Sequence, residues 1–288
     1  MSIPAPFDYH PVQTVDEAIA LLTEYGDEAK ILAGGHSLIP TLKLRLSQPG
    51  HLIDIGRING LSYIRDEGDV ITVGALTTYT TMARSALLRS HFAALADAAS
   101  VIGDQQVRNR GTLGGSAAHS DPAGDMPAII LALKAHLVIR GANETRTVQA
   151  DDFFIDTFTT ALEPDEILTE LRFKVLAPHT GTAYMKLENR ASHYAVTGCA
   201  AVITLNSDGT CAAASVTITG ASTKTVRASA VESALLGQKL DEASVAAAAQ
   251  HATDGLELVE DIHGSKAYRG QMTVVMAKRA ILKAVERA

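Results

Sequence analysis

Apolar positions along the first 55 residues alternate between two periods. Val15, Ala18, Ile19 and Leu22 recur at helical spacing. Thr14-Val15-Asp16-Glu17 ahead of them has capping-box form, and Gly26 is placed to stop the helix. Residues 30–33 read as a short strand, followed by the tight loop Gly34-Gly35-His36-Ser37. Pro40 suits the first turn of a second helix, and 51–55 reads as another strand. Strands at 62–65 and 70–75 flank a turn containing Gly68, which predicts a hairpin. A helical region follows over 78–102, with a break expected near 88–91. Strands are predicted at 137–140, 146–149 and 167–175. The composition turns linker-like around 177–181. Strands at 183–188, 196–205 and 211–219 come next, then alanine-rich helices near 228–236, 242–253 and 265–286. The order predicts an α+β chain whose second part is a separate α+β domain.

Residues 103–127 break this periodicity. They hold five glycines, two prolines and few large apolar side chains. A stretch of that length without periodicity is either disordered or functional.

The 288 residues carry 25 Lys+Arg against 32 Asp+Glu, a formal charge of −7. Length alone suggests two domains, at about 150 residues each. An acidic balance lacks the basic footprint of a nucleic-acid binder. The absence of Trp and an aromatic content of 5% leave little for base stacking. The longest apolar run, from Pro127 to Leu133, falls far short of the roughly 20 residues of a membrane span. Residues 1–10 have no basic and apolar leader, so the cytoplasm is the expected location. Cys199 and Cys211 flank a hairpin turn at 206–209 that would put Cys199 opposite about position 216. Both then read as free core thiols. Two thiols cannot hold an iron–sulfur cluster, which takes about four. His10, His119 and His193 show no metal-ligand spacing.

The chemistry is concentrated in two glycine segments, Ala33-Gly34-Gly35-His36-Ser37 and Gly111-Thr112-Leu113-Gly114-Gly115-Ser116. Glycine permits close backbone approach, so successive N–H groups can converge on an anion. Ser37, Thr112 and Ser116 can add hydroxyl donors. Neither segment has the form of an ATP P-loop or of a Rossmann fingerprint, and either alone would pass for a turn. Asp121 and Asp125 follow the second segment. They read either as caps of a turn and of a helix starting near Pro127, or as partners for sugar or ribityl hydroxyls. Arg108-Asn109-Arg110 could attract phosphates or a partner chain, or stand in solvent.

Together these residues resemble the FAD-binding medium subunit of the molybdenum hydroxylases, and within that family most of all the carbon monoxide dehydrogenase branch. The resemblance spans the whole chain. Phe7-Asp8-Tyr9-His10-Pro11 is similar to the family's start, and Ala33-Gly34-Gly35-His36-Ser37-Leu38-Ile39-Pro40 and Thr112-Leu113-Gly114-Gly115-Ser116 to its two flavin-diphosphate loops. Ser116 departs from the Asn that the family often has there. The resemblance implies a two-subdomain PCMH-type FAD-binding domain over 1–177 (subdomains about 1–55 and 56–177). A C-terminal domain over 178–288, with an antiparallel sheet and helices, would follow. It implies that Ala33, Gly34, Gly35, His36, Ser37, Leu38, Thr112, Leu113, Gly114, Gly115 and Ser116 line the cofactor. His36 reads as a hydrogen bonder that braces its loop, with proton donation as the alternative. Asp125 would hold ribityl or nearby flavin hydroxyls, Leu168 would pack by the isoalloxazine, Lys186 would lie near the flavin or its adenylate side, and Tyr194 would shield a ring face. Outside the family frame, Leu168 reads as core, Lys186 as a solvated strand residue, and Tyr194 as a ring buried with a wet hydroxyl.

The implied role is electron transfer. A large partner would hold a molybdenum cofactor, a small partner two iron–sulfur clusters, and the assembly would be a dimer of heterotrimers. This chain's FAD would pass electrons to an external acceptor. The alternatives are a self-sufficient FAD oxidase or reductase of the related two-subdomain fold, and a non-catalytic nucleotide-binding module.

Overall fold

The computed structural model describes residues 3–288. Its first unit is a parallel sheet of three strands, Asp8–Pro11, His51–Asp54 and Ala29–Leu32 in that spatial order. Helix Val15–Tyr25 covers it, burying Val15, Ala18, Ile19 and Leu22. The capping box forms as the sequence predicts, with Thr14 and Glu17 each accepting from the other's backbone, and Gly26 caps the C-terminus at φ +52°.

The second unit is a five-stranded antiparallel sheet. Its order is Ile64–Asp66, Val70–Gly74, Ile167–Lys174, His136–Arg140, Thr145–Gln149. Its core includes Phe92, Met126, Ile129 and Phe173, supplied by the sheet and by the helices before and after the second glycine segment. Two details depart from the sequence reading. The helical region breaks at Ser85 and at Phe92, giving Tyr79–Arg84, Ala86–His91 and Ala93–Val101, so 88–91 is itself helical. Ser85 makes the first break because its hydroxyl accepts from the Leu88 N–H at 3.2 Å and restarts the helix. The glycine-rich stretch is ordered as helices Gln105–Arg110 and Leu113–His119 and the start of Asp125–Ala132.

The third unit is an antiparallel sheet of Thr180–Glu188, Ala195–Leu205, Cys211–Thr219 and Val226–Arg227, packed on helices Ser229–Leu235, Glu242–Ala249 and Lys266–Val285. The turn pairs Leu205 with Cys211, one residue beyond the expected register, and a bulge between Thr204 and Leu205 adds another, so Cys199 faces Ile218, two residues beyond the expected position. Both cysteines are free and buried. Strand Ala195–Leu205 is covered on both faces. Cys199, Ala201 and Ile203 join the core beneath the C-terminal helices, while Ala200 and Val202 join the core of the second unit.

The neighbouring strand explains how the units lock. Ser215, Thr217 and Thr219 form a period-2 polar row that is buried. Ser215 donates to Ala132 O, Thr217 to Ala128 O, and Thr219 to Gly124 O and Pro122 O, each at 2.7–2.8 Å. A row that would ordinarily face water instead bonds the helix Asp125–Ala132. Burial of hydroxyls is tolerated because each has an acceptor.

Candidate functional site

The two glycine segments, 78 positions apart in sequence, touch in space. A β-carbon on Gly34 would fall 2.8 Å from Arg110 C and 2.9 Å from Gly111 Cα, and closer still to Arg110 O. One on Gly115 would face Ala33 Cβ at 3.8 Å. Gly35 has φ +78°, a conformation that favours glycine. Behind the contact, Gly114 leaves no room for a side chain against the Ala75 backbone at 2.8 Å.

The segments are unlike in what they offer. In the first, the N–H groups of Gly34, Gly35, His36 and Ser37 donate to no described residue. In the second, every backbone donor but Thr112 N–H is used by the fold. Gly111 N–H goes to Val107 O, Leu113 to Thr77 O, Gly114 to Ala75 O, Gly115 to the Thr112 hydroxyl and Ser116 to Thr112 O. The open amides therefore come from the first segment and, in the second, from Thr112 alone. Thr112–Ser116 is the capped first turn of helix Leu113–His119, not a loop, and it presents hydroxyls and close packing. Open amides from one side and hydroxyls from the other fit an anionic diphosphate between them.

The cleft between them has a volume of about 500 Å³ and is lined by Gly34, Gly35, His36, Ser37, Leu38, Thr112 and Gly115, with Tyr79, His119 and Phe158. It continues at both ends. One end is a cavity of about 210 Å³ between the first two units, lined by Leu22, Ile31, Ala33, Gly114, Gly115 and Leu168. The other, of about 140 Å³, has apolar walls of Ile102 and Val107 and polar groups from His36, Ser116, Asp125 and Tyr194. Leu168 and Tyr194 thus line cavities at opposite ends of the cleft. Leu168 is also core, as its buried position requires. Leu113 is fully buried and supports the segment from below.

Asp125 is not a helix cap. Helix Asp125–Ala132 starts at this residue, Gly124 is its N-cap, and no side chain caps it. The Asp125 carboxylate is buried at the edge of the smaller end cavity, accepting from the Tyr184 hydroxyl and, at 3.1 Å, from Lys186 Nζ. Lys186 is no solvated strand residue, since its side chain is 4% exposed. It also donates to Val101 O at 3.0 Å and His193 O at 2.7 Å. One ammonium therefore ties three segments that wall the cavity, and it reaches the cavity through Asp125. Burial pushes the Asp125 carboxyl above its ordinary range, with Lys186 and the Tyr184 hydroxyl opposing. Burial, with Asp125 alongside, pushes the Tyr184 phenol well up.

The remaining candidates are placed as follows. Asp121 does form a turn, accepting from Ala123 N–H at 2.8 Å. Arg108 is held by Ile102 O and Gly103 O, and Asn109 by Thr80 and Gln105. No cluster of three metal-capable side chains occurs among the described residues, and no described helix is long and apolar enough to cross a membrane.

Comparison with known proteins decides what kind of cleft this is. Residues 5–173 match the family of FAD binding domains in molybdopterin dehydrogenase, and 182–284 the CO dehydrogenase flavoprotein C-terminal domain. The chain belongs to the FAD-carrying medium subunits of the molybdenum hydroxylases. It is 43% identical to the carbon monoxide dehydrogenase medium chain of Hydrogenophaga pseudoflava, over 97% of both chains. It is 36% identical to the 6-hydroxypseudooxynicotine dehydrogenase complex subunit alpha of Paenarthrobacter nicotinovorans, over 99% of this chain and 96% of that one. The solved carbon monoxide dehydrogenase of Hydrogenophaga pseudoflava superimposes with a TM-score of 0.96 at 44% identity, covering 99% of each chain. Quinoline 2-oxidoreductase of Pseudomonas putida 86 superimposes at 0.92 with 31% identity, over 99% and 98%. As a member of this family the chain is an oxidoreductase subunit with FAD as its cofactor.

Sequence reasoning missed several cleft residues: Tyr79, Ile102, Val107 and Phe158. Tyr79 and Phe158 had one available signal. Large aromatics are few in this chain, and each sits beside a break in the helical or strand pattern.

Proposed function

We propose that this chain is the electron-transfer subunit of a molybdenum-containing dehydrogenase. Its FAD accepts electrons from the iron–sulfur clusters of a small partner and passes them to an external acceptor, while a large partner oxidises the substrate at the molybdenum cofactor. The observation that carries this reading is the contact between the two glycine segments, with open amides facing hydroxyls across one cleft. The FAD diphosphate lies there. The isoalloxazine lies at the Tyr194 end, where apolar walls and polar groups together suit a tricyclic ring with carbonyl edges. The adenine lies at the Leu168 end, against Leu22 and Ile31. That placement moves Leu168 from the flavin to the adenine. Asp125 serves the ribityl chain or the ring edge, and Lys186 with Tyr184 fixes its carboxylate.

FAD supplies the one- and two-electron chemistry, and the protein supplies binding, orientation and electrostatics. We place the domain boundary at 177/178, the assembly as a dimer of heterotrimers, and the location in the cytoplasm. Relatives are named for carbon monoxide, nicotine and glyceraldehyde, so the large partner sets the substrate.

The test is anaerobic reduction of the flavin, followed by its visible absorption. The full chain alone should stay oxidised with carbon monoxide, aldehydes and N-heterocycles, and one of these should bleach it once the two partners are added. Direct reduction of the isolated chain by a substrate would refute the subunit role.

A further inference from the structure

Thr112, Gly115 and His119 recur at i, i+3 and i+7 along helix Leu113–His119 and its cap, so they share one face. All three line the diphosphate cleft. The first two belong to the second glycine segment, and His119 stands one turn beyond it. Its ring is held in place by Phe158, with centroids 4.9 Å apart. Phe158 has φ +52°, which bulky residues rarely adopt, and its N–H donates to Ser120 O at 3.1 Å. The same loop is tied down by Lys224 Nζ, which donates to Ile155 O at 2.7 Å, and by the Thr157 hydroxyl, which donates to Thr223 O. Strain held by several anchors clusters at ligand sites. Neither nitrogen of His119 is hydrogen-bonded among the described residues, and Nε2 lies 3.9 Å from Asp121 Oδ2.

Charge gives this ring its use. The diphosphate of a dinucleotide is ionised on both phosphates at neutral pH. No Asp or Glu lines the cleft among the described residues, and its cationic candidates are Lys30, His36 and His119. Lys30 is exposed and also borders the adenine cavity. His36 comes from the first glycine segment and His119 from beyond the second, so each side of the cleft brings one imidazole. Open amides and hydroxyls supply no net charge, whereas a proton on an imidazole does.

Burial holds the His119 imidazole below its ordinary value, with Asp121 opposing. In the empty cleft it is therefore neutral at pH 7, since the ordinary value is about 6.5. The other charged groups on the elements packed around it are committed elsewhere. Asp125, on helix Asp125–Ala132, is bound by Lys186 and Tyr184. Glu170 and Arg172, on strand Ile167–Lys174, pair with each other at 2.6 Å. Asp156, on the Phe158 loop, accepts from Thr157 N–H at 2.7 Å. Tyr79, on the cleft wall, keeps its proton because burial pushes its phenol up.

We propose that His119 is a proton-linked contact of the FAD diphosphate: its imidazole takes up one proton from solvent as FAD binds, and the cofactor is held more tightly as pH falls. The proposal rests on the diphosphate lying in this cleft. An opposite charge alongside an ionisable group moves its titration by about one to three pH units. With the His119 side chain 34% exposed the lower end applies, which is about a tenfold change in the FAD dissociation constant. Affinity is highest below the empty-cleft value, which lies under about 6.5, and declines as pH rises through the FAD-bound value.

The test is fluorescence titration with FAD of the deflavinated protein, as the full chain in complex with its two partner subunits, from about pH 5.5 to about pH 8.5. Calorimetry at neutral pH in two buffers of different ionisation heat counts the protons taken up. The dissociation constant should rise about tenfold across the range, with net proton uptake on binding. His119→Gln should bind at every pH as the wild type does at the alkaline end, without proton uptake. His119→Lys, charged throughout, should bind more tightly than His119→Gln at the alkaline end. His36→Gln should keep the proton uptake. Binding by the wild-type protein that is independent of pH, full proton uptake in His119→Gln, its loss in His36→Gln, or no gain in His119→Lys would each overturn the proposal. Protein that takes up no FAD at any pH would instead overturn the flavoprotein reading, and flavin stoichiometry measured on the same samples separates the two failures.

Discussion

Adding one methyl group at Gly34 tests the cleft most directly. The new carbon would meet the Arg110–Gly111 backbone, which cannot swing away as a side chain does. Moving Arg110 C from 2.8 Å to the 3.4 Å at which ordinary contact begins requires a shift of about 0.6 Å at the least, and Arg110 O requires more. Overpacking of this kind destabilises by about 1–3 kcal/mol. The larger effect falls on the cofactor, because the same shift separates the open amides of the first segment from the hydroxyls of the second. A hydrogen bond to a charged group contributes about 1.5–3 kcal/mol, so losing one weakens FAD by roughly ten- to a hundredfold at about 1.4 kcal/mol per tenfold. Gly34→Ala should therefore purify with depleted flavin and a raised FAD dissociation constant by fluorescence titration. Gly50→Ala is the control, because its β-carbon would make ordinary contact with Glu28 at 3.7 Å. Wild-type flavin content and affinity in Gly34→Ala would refute the diphosphate cleft.

Further outcomes follow from other contacts. Lys186→Met should cost about 3–5 kcal/mol of stability in chemical denaturation, because it leaves the Asp125 carboxylate buried without its cation. The double variant Lys186→Met with Asp125→Asn should recover part of that stability but not FAD affinity; full recovery of both would show that Asp125 makes no cofactor contact. Thr112→Val should cost about 1 kcal/mol through loss of the helix cap, and Thr112→Ser should restore it in thermal melts. Arg146 holds the Glu166 carboxyl below its ordinary range through paired hydrogen bonds at 2.6–2.7 Å. The folded value is the depressed one, so this stability is present above the ordinary Glu value of about 4.3 and is lost as pH falls through the folded value. Glu166→Gln should flatten the acid limb of a Tm–pH profile; an unchanged limb counts against the pair.

What the sequence revealed and what it hid follow from the range of the forces involved. The capping box at Thr14, the stop at Gly26 and the hairpin around Gly68 rest on neighbouring residues, and periodicity exposed them. The glycine segments were legible as segments, but their division of labour was not. Which amides remain open depends on Ala75 O and Thr77 O, which come from a different part of the chain. Lys186 read as a surface residue because alternation along its strand says nothing of a carboxylate 61 positions away. Ser215, Thr217 and Thr219 likewise look like a solvent face until the helix they bond is placed beside them. Phe158 stood out only as a rare aromatic beside a break in the strand pattern, and the positive φ that sets its ring was not legible.

The unequal hydrogen bonding of the two glycine segments bears on how the protein matures. Folding alone supplies acceptors for five of the six amides at 111–116, whereas the amides of residues 34–37 have no acceptor among the described residues. Cofactor binding would supply acceptors for those four amides, so they are where deuterium uptake should slow when the chain is loaded with FAD.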